Sequence, residues 1–306
     1  MQARVTVAIP TFNRKLFLKE ALESVLAQDY SNVEIVVSDN ASTDGTEDVV
    51  KGFSEKYNNI IYFRHKENVG GRLNWCKCLE LATGDYCLLL SDDDVMMPGA
   101  INKMVEAFTV DTVVVIGNTI YIDECGDVIG GHDNPSGLLN ENEFWEARLS
   151  KGYHDTPSGV MYVTKKGRDA INLVAEKTES AMDLAMDLVM SRHGSIKCIS
   201  DKIVKYRVHG GNDSKNIMRC ASSHVGLFNL LKTIAPDKRC ESLLRNYCKS
   251  TICGYTWLSL KGGQLSLAKN CLSLLNGPFS KSFLESVFIF GRFFISRVYK
   301  RVLRYI

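Results

Sequence analysis

Three consecutive carboxylates, Asp92, Asp93 and Asp94, follow the apolar run Cys87–Leu90 and Ser91. Like charges so close repel, and burial beside an apolar strand adds a desolvation penalty, so the triplet needs compensation. A divalent cation supplies it. Hard Mg2+ or Mn2+ takes one or two carboxylates and completes its shell with substrate phosphates. An acidic loop or a helix N-cap is the competing reading, since Asp is favoured before a helix and Pro98 suits a nearby helix start. Asp39 offers a second chemistry at the end of the apolar run Val33–Ser38. A carboxylate there accepts hydrogen bonds from a base or ribose, as the ribose-binding acid of dinucleotide folds does, although an Asx-turn at Asp39-Asn40 fits the same residues. Ser42–Thr46 reads mainly as turn and helix cap. Asp183 and Asp187 stand one helical turn apart on one face, so one of them would carry a raised pKa suited to a general base. Two solvated acids on a helix face is the simpler alternative.

These groups need a scaffold. Val5–Ile9, Val33–Ser38, Ile60–Phe63 and Tyr86–Leu90 read as strands buried on both faces. Leu16–Gln28, Thr46–Tyr57 and Leu73–Ala82 read as amphipathic helices between them. Such alternation means right-handed crossovers and a mainly parallel sheet, with ligands beyond the carboxyl ends of the strands. The residues found there are Pro10–Arg14, Asp39–Gly45 and Ser91–Asp94, three polar clusters on one edge. The middle of the chain is less regular. Val113–Ile122 is a strand, Glu124–Gly131 a turn and short strand, and His132–Gly137 a loop. Thr178–His193 is helical and ends at Gly194, Ile203–Val208 is a strand, and His209–Ser214 is a glycine-bearing loop. From there Ser222–Ile234, Cys240–Leu260, Leu265–Leu275 and Phe283–Leu303 all read as helix. The boundary falls near 215.

Composition narrows the class. Of 306 residues, 45% are apolar and 24% charged, which excludes disordered and collagen-like chains. With 37 basic and 35 acidic side chains the net charge is +2, which argues against nucleic acid as a partner. The charge is uneven. From Lys281 onward six basic side chains face Glu285 alone, a tail of +5 that leaves −3 on the first 280 residues. The ten cysteines lack CxxC spacing and read as buried thiols of a reduced compartment. No signal-peptide pattern precedes the first strand and no long uninterrupted apolar run occurs, so the expected location is cytoplasmic.

Five segments occur in an order and spacing that resembles the family 2 glycosyltransferases of the GT-A fold. They are Val7–Arg14, Val33–Thr46, Glu67–Asp94, Met182–Gly194 and Lys202–Ser214. The resemblance implies an α/β fold with a mostly parallel central sheet flanked by helices, and a glycosyltransferase domain over 1–214 with a nucleotide-sugar half (1–110) and an acceptor half (111–214). The helical C-terminal appendage over 215–306 carries no motif of the family and is read from its residues alone. The implied reaction is inverting transfer of one sugar from a nucleotide-diphospho-sugar, a UDP-sugar favoured, to a hydroxyl of a glycan or lipid-linked glycan acceptor. Pro10, Thr11, Asn13, Arg14, Asp39, Asn68, Gly70, Arg72 and Asp92 would bind the nucleotide. Asp93, Asp94 and His209 would hold Mn2+ or Mg2+, with Arg207 or Lys205 as alternative phosphate contacts. Asp183 would be the base, with Asp187 in reserve, and Ser158 would line the acceptor pocket or sit in a plain turn.

The chain departs from the family pattern twice: Ser91 replaces the first aspartate of many members, and Met182 replaces an acid beside the base. Those departures suit a degenerate carbohydrate- or nucleotide-binding module instead. No Arg precedes Trp75, Trp145 or Trp257, so the QxxRW motif of processive synthases is absent. The basic aromatic helix over 283–303 either lies on an anionic membrane surface or packs on the protein.

Overall fold

The β-branched runs form strands because both of their faces are covered. The computed structural model describes residues 2–178, 180–212, 216–280 and 285–293. The first half alternates β1 (Val5–Thr11), α1 (Lys15–Leu26), β2 (Val33–Asp39), α2 (Thr46–Ser54), β3 (Ile60–Arg64), α3 (Gly71–Leu81) and β4 (Tyr86–Leu89). Val5, Val7, Ala8 and Ile9 on β1, and Ile35, Val36 and Val37 on β2, are fully buried, so successive side chains on opposite faces are equally dry. On α1 the buried positions Leu18, Ala21, Leu22 and Val25 recur at helical spacing and pack into the same core.

The second half continues with β5 (Val95–Met96), α4 (Ala100–Glu106), β6 (Thr112–Ile122), β7 (Val128–His132), β8 (Gly137–Leu139) and α5 (Glu141–Ser150). Then come β9 (Val160–Val163), α6 (Thr164–Val174), α7 (Met182–Met190) and β10 (Ser195–Arg207). The sheet runs β3-β2-β1-β4-β9-β6-β10-β5, with β7 on β6 and β8 on β10. The parallel order expected from the alternation runs from β3 to β4. At β9 the direction reverses, because this strand is antiparallel to both β4 and β6, and β6 and β10 are again parallel. β1 lies between β2 and β4, so the crossovers leave it on opposite sides and open a crevice at its carboxyl end.

By its contacts the chain divides into two units. One holds 1–144, 152–175 and 186–210, and the other 145–151, 176–185 and 211–306. The second is helical: α8 (Ile217–Leu231), α9 (Lys238–Lys261) and α10 (Leu265–Ser273). α8 and α9 start earlier than their apolar periodicity suggests, since Asn216 caps the Arg219 amide and Asp237 caps that of Cys240. Gly226 on α8 is required by close approach, because a Cβ there would strike the Lys177 carbonyl oxygen. The expected boundary at 214/215 falls outside the described residues. So does most of the expected helix over 283–303, of which 285–293 are helical. Among the described residues no helix is long and apolar enough to cross a membrane. All ten cysteines are free thiols, eight of them buried.

Candidate functional site

The crevice beside β1 is where the polar clusters meet. The chain leaves β1 through Asn13, whose positive φ of 52° turns Arg14 back across the sheet edge. The Thr11 hydroxyl donates to Asp92 Oδ2 at 2.7 Å, and the Phe12 amide reaches the same oxygen at 3.3 Å. Arg14 Nη1 bridges Asp92 Oδ1 at 3.0 Å and Asp93 Oδ2 at 2.8 Å. His209 Nε2 meets that same Asp93 oxygen at 2.8 Å, its ring 5.3 Å from Phe17. The Asn13 backbone amide donates to the Ser42 hydroxyl and its side-chain Oδ1 accepts from the Thr43 amide, which ties the loop to both. The Asp44 carboxylate caps Thr46 and accepts from the Lys15 amide, the turn-and-cap role its sequence suggests.

Asp94 faces inward. Its Oδ1 accepts from the Arg207 amide at 2.9 Å and its Oδ2 from the Ser158 hydroxyl at 2.5 Å. Ser158 is fully buried and also accepts from the Ser91 amide, so it braces the triplet rather than facing an acceptor. Arg207 is equally committed. It is 3% exposed, and its guanidinium donates to the carbonyls of Asp93, Asp123 and Glu124 and to the Glu20 carboxylate. The phosphate contact anticipated for Arg207 is therefore replaced by a brace under the triplet. Sequence reasoning overlooked that role, and also Glu20 and Phe17, because the groups they join are far apart in the chain.

Asp39 is fully buried. Its Oδ1 accepts from the Ser42 amide at 2.9 Å and its Oδ2 from the Tyr62 hydroxyl at 2.7 Å, with Arg64 Nε at 3.5 Å. Burial, with the hydrogen bond to Asp39 adding, pushes the Tyr62 hydroxyl well up, so it stays a donor. Both oxygens of Asp39 are thus engaged within the protein, Oδ1 closing the turn at Ser42. Asn40 links Asn68 and the Val69 amide, and Asn68 accepts from the Gly70 amide at the entrance to α3. Gly70 has φ 84°, while Arg72 is half-buried in the first turn. Pro10 is half-buried near the end of β1. Asn74, which the sequence did not single out, joins the Ser38 hydroxyl and carbonyl to the Thr11 carbonyl and so fixes the two strand ends.

Asp187, named above in reserve as the base, lies on α7. It is fully buried and accepts from the Tyr162 hydroxyl at 2.9 Å, as a carboxylate of the core does. Asp183 lies in the first turn of α7, in the segment that belongs to the helical unit. There burial raises the Tyr255 hydroxyl, and Asp183 adds to that shift.

The charge balance of the triplet indicates what would complete it. Burial pushes Asp92 up to about 6, with Asp93 adding and Arg14 opposing. Burial and Asp93 raise Asp94 well above the usual carboxylate range, against the hydrogen bonds from Ser158 and Arg207. Three buried carboxylates are gathered here, and the Asp93–His209 pair offers oxygen and nitrogen donors that suit Mn2+ or Mg2+. Among the described residues no group of three or more His, Cys, Asp or Glu forms a metal cage. A cation here would thus rest on two protein groups and on oxygens of its substrate.

The raised Asp92 predicts a pH effect on the metal-free protein. The folded chain holds that proton more tightly than the unfolded chain. The stability it contributes is fully present below about 4 and is lost as pH rises through about 6. Asp92→Asn has no such proton. Relative to wild type it should gain about 2–3 kcal/mol between pH 4 and pH 7.5, read by chemical unfolding in EDTA. Parallel pH profiles for the two proteins would contradict the shift.

Comparison with known proteins follows the same regions. A model of glycosyl transferase family 2 matches residues 6–165. Abequosyltransferase RfbV of Salmonella typhimurium is 43% identical over 95 residues, 30% of this chain and 28% of that protein, so the match spans under a third of the relative. In fold, S. aureus TarS 1–349 in complex with UDP-GlcNAc has a TM-score of 0.65 at 17% identity, over 89% of this chain and 82% of that one. The mannosyltransferase PcManGT from Pyrobaculum calidifontis, in complex with GDP-Man and Mn2+, has a TM-score of 0.58 at 16% identity, over 97% and 87%.

Proposed function

The chain belongs to glycosyl transferase family 2, whose model matches more than half of it, and from that premise we propose its reaction. It moves one sugar, with inversion, from a nucleotide-diphospho-sugar to a hydroxyl of a glycan or lipid-linked glycan during surface-polysaccharide synthesis. A UDP-sugar is the favoured donor. One observation carries the reading: Thr11, Arg14, Asp92, Asp93 and His209 converge at the carboxyl end of β1, where a doubly wound sheet binds nucleotides. Residues 1–110 are the proposed donor half and 111–214 the acceptor half. RfbV, an abequosyltransferase, supports the polysaccharide assignment.

The chain's own groups divide the work. Arg14 holds Asp92 and Asp93 in place and presents a cation toward the diphosphate. Asp93 and His209 are the groups that would hold Mn2+ or Mg2+. Asp94, with Ser158 and Arg207, keeps the loop rigid beneath them. The bound cation would offset the charge that develops on the departing diphosphate. Asp183 is the proposed base and takes the proton of the acceptor hydroxyl as the hydroxyl oxygen attacks C1. That assignment rests on the resemblance.

The test has two stages. UDP with Mn2+ should raise the melting temperature and UDP with EDTA should not, after which donor hydrolysis measures turnover. Asp183→Asn is expected to keep the UDP–Mn2+ shift while turnover falls by about 10²–10⁴. Binding without turnover, indifferent to Asp183→Asn, would mark the chain as a degenerate binding module. A second proposed partner is an anionic membrane surface at the cytoplasmic face, supported by the +5 charge after Lys281. Vesicle sedimentation of the chain with and without 281–306 tests that contact.

A further inference from the structure

Four rings stand in series, three on β10, β6 and β7 and the fourth in the segment between α5 and β9, and the nucleotide cluster uses none of them. Tyr206 and Tyr121 are register partners on β10 and β6, with ring centroids 5.9 Å apart at 71°. Tyr121 and His132 are 5.8 Å apart at 55°, and the Tyr121 hydroxyl lies 3.0 Å from His132 Nδ1. His132 and His154 follow at 6.2 Å and 60°. Asp155 lies close enough to Tyr121 that, after burial, its charge raises the hydroxyl further. Tyr206, Tyr121, His132 and Asp155 are half-buried and His154 is exposed, so the series is open to solvent.

Chain connection joins the series to the braces of the triplet at two places. Tyr206 precedes Arg207, whose Nε donates to the Asp93 carbonyl at 2.9 Å. Asp155 precedes Ser158 by three residues, and that hydroxyl donates to Asp94. Packing alone explains only part of the arrangement. Tyr121 lies opposite Gly130, and one ring suffices to cover a glycine of the β6–β7 hairpin. A second tyrosine, two imidazoles and a carboxylate in line are more than that task requires.

A pyranose has an apolar face of C–H groups and a rim of hydroxyls. Rings carrying a polar handle meet the first, while phenol, imidazole and carboxylate groups meet the second. We propose that Tyr206, Tyr121, His132, His154 and Asp155 form the subsite for the acceptor saccharide, within the acceptor half proposed above. The proposal rests on the transferase reading above, and its test separates the two.

The probes are methyl α-D-mannopyranoside, methyl α-L-rhamnopyranoside and methyl β-D-galactopyranoside, added to the full chain with UDP and Mn2+ and read by saturation-transfer NMR. At least one should receive saturation from the wild type. Tyr206→Ala should weaken that signal by about fivefold or more, and Tyr121→Phe, which keeps the ring, by less. Both variants should keep the UDP–Mn2+ melting shift. Transfer to none of the three in a wild type that shows the shift, or transfer undiminished in Tyr206→Ala, overturns the subsite. A wild type that shows no UDP–Mn2+ shift overturns the donor site on which it rests.

Discussion

Asp93→Asn is expected to lower kcat/KM for the sugar donor by about three orders of magnitude, a loss of about 4 kcal/mol in transition-state stabilisation. The magnitude follows from one atom. Asp93 Oδ2 is where Arg14 Nη1 and His209 Nε2 both arrive at 2.8 Å. An amide there has either a neutral oxygen or an NH2 group, and the NH2 group would oppose the Arg14 donor directly. The substitution therefore removes the charge that attracts a cation and loosens the two groups that frame it. The fold should tolerate the change, because Asp93 lies on the crevice side and the inward braces run through Asp94 and the Asp93 carbonyl. Steady-state kinetics across a Mn2+ titration, together with the UDP–Mn2+ melting shift, measure both effects. Retention of activity within about tenfold of wild type, at the same Mn2+ requirement, would remove Asp93 from the centre of the site.

The parts of this site that were legible in the sequence share one property: their partners are set by topology. Thr11 and Asp92 are far apart in the chain, yet Thr11 ends β1 and Asp92 follows the parallel β4, so strand–helix alternation brings them to a common edge. The braces that Ser158 and Arg207 make are hidden for the converse reason. Ser158 follows a proline and precedes a glycine, which locally reads as turn chemistry. Its role is set by β9 entering antiparallel between β4 and β6, and four residues, Val160–Val163, give no periodicity from which to infer that. Arg207 could be read as a phosphate ligand because the sequence does not show that its strand end lies over Phe17 and Glu20. One omission had a usable signal. Asn140 and Glu143 form a reciprocal capping box at the start of α5, and the N-x-x-E spacing is visible in the sequence. Asn74 had no such signal, since an asparagine in the middle of a helix normally faces water.

Arg207→Ala is expected to cost about 3–5 kcal/mol of stability, the scale for removing one partner from a buried charged network. The side chain is 3% exposed and stacks 4.8 Å from the centre of the Phe17 ring. Its fork donates to three main-chain carbonyls, on Asp93, Asp123 and Glu124, before it reaches Glu20. Alanine leaves those carbonyls without these donors and withdraws a positive charge from beside buried carboxylates whose affinity for protons is already raised. Lysine should recover only part of the loss, because one ammonium matches the charge but not the fork. Glu20→Gln should cost under about 1 kcal/mol, since Glu20 is half-exposed and water screens its pair with Arg207. This ranking of Ala, Lys and the Glu20 variant separates a brace from a phosphate ligand. A brace loses stability in urea unfolding without any ligand present, and the loss tracks the number of main-chain bonds removed. A phosphate ligand would leave ligand-free stability within about 1 kcal/mol of wild type and raise the KM for donor instead. If Arg207→Ala shows that second pattern, the guanidinium must leave Asp93 and Glu124 when donor binds, and Asp94 would then be held by Ser158 and the main-chain amide at 207.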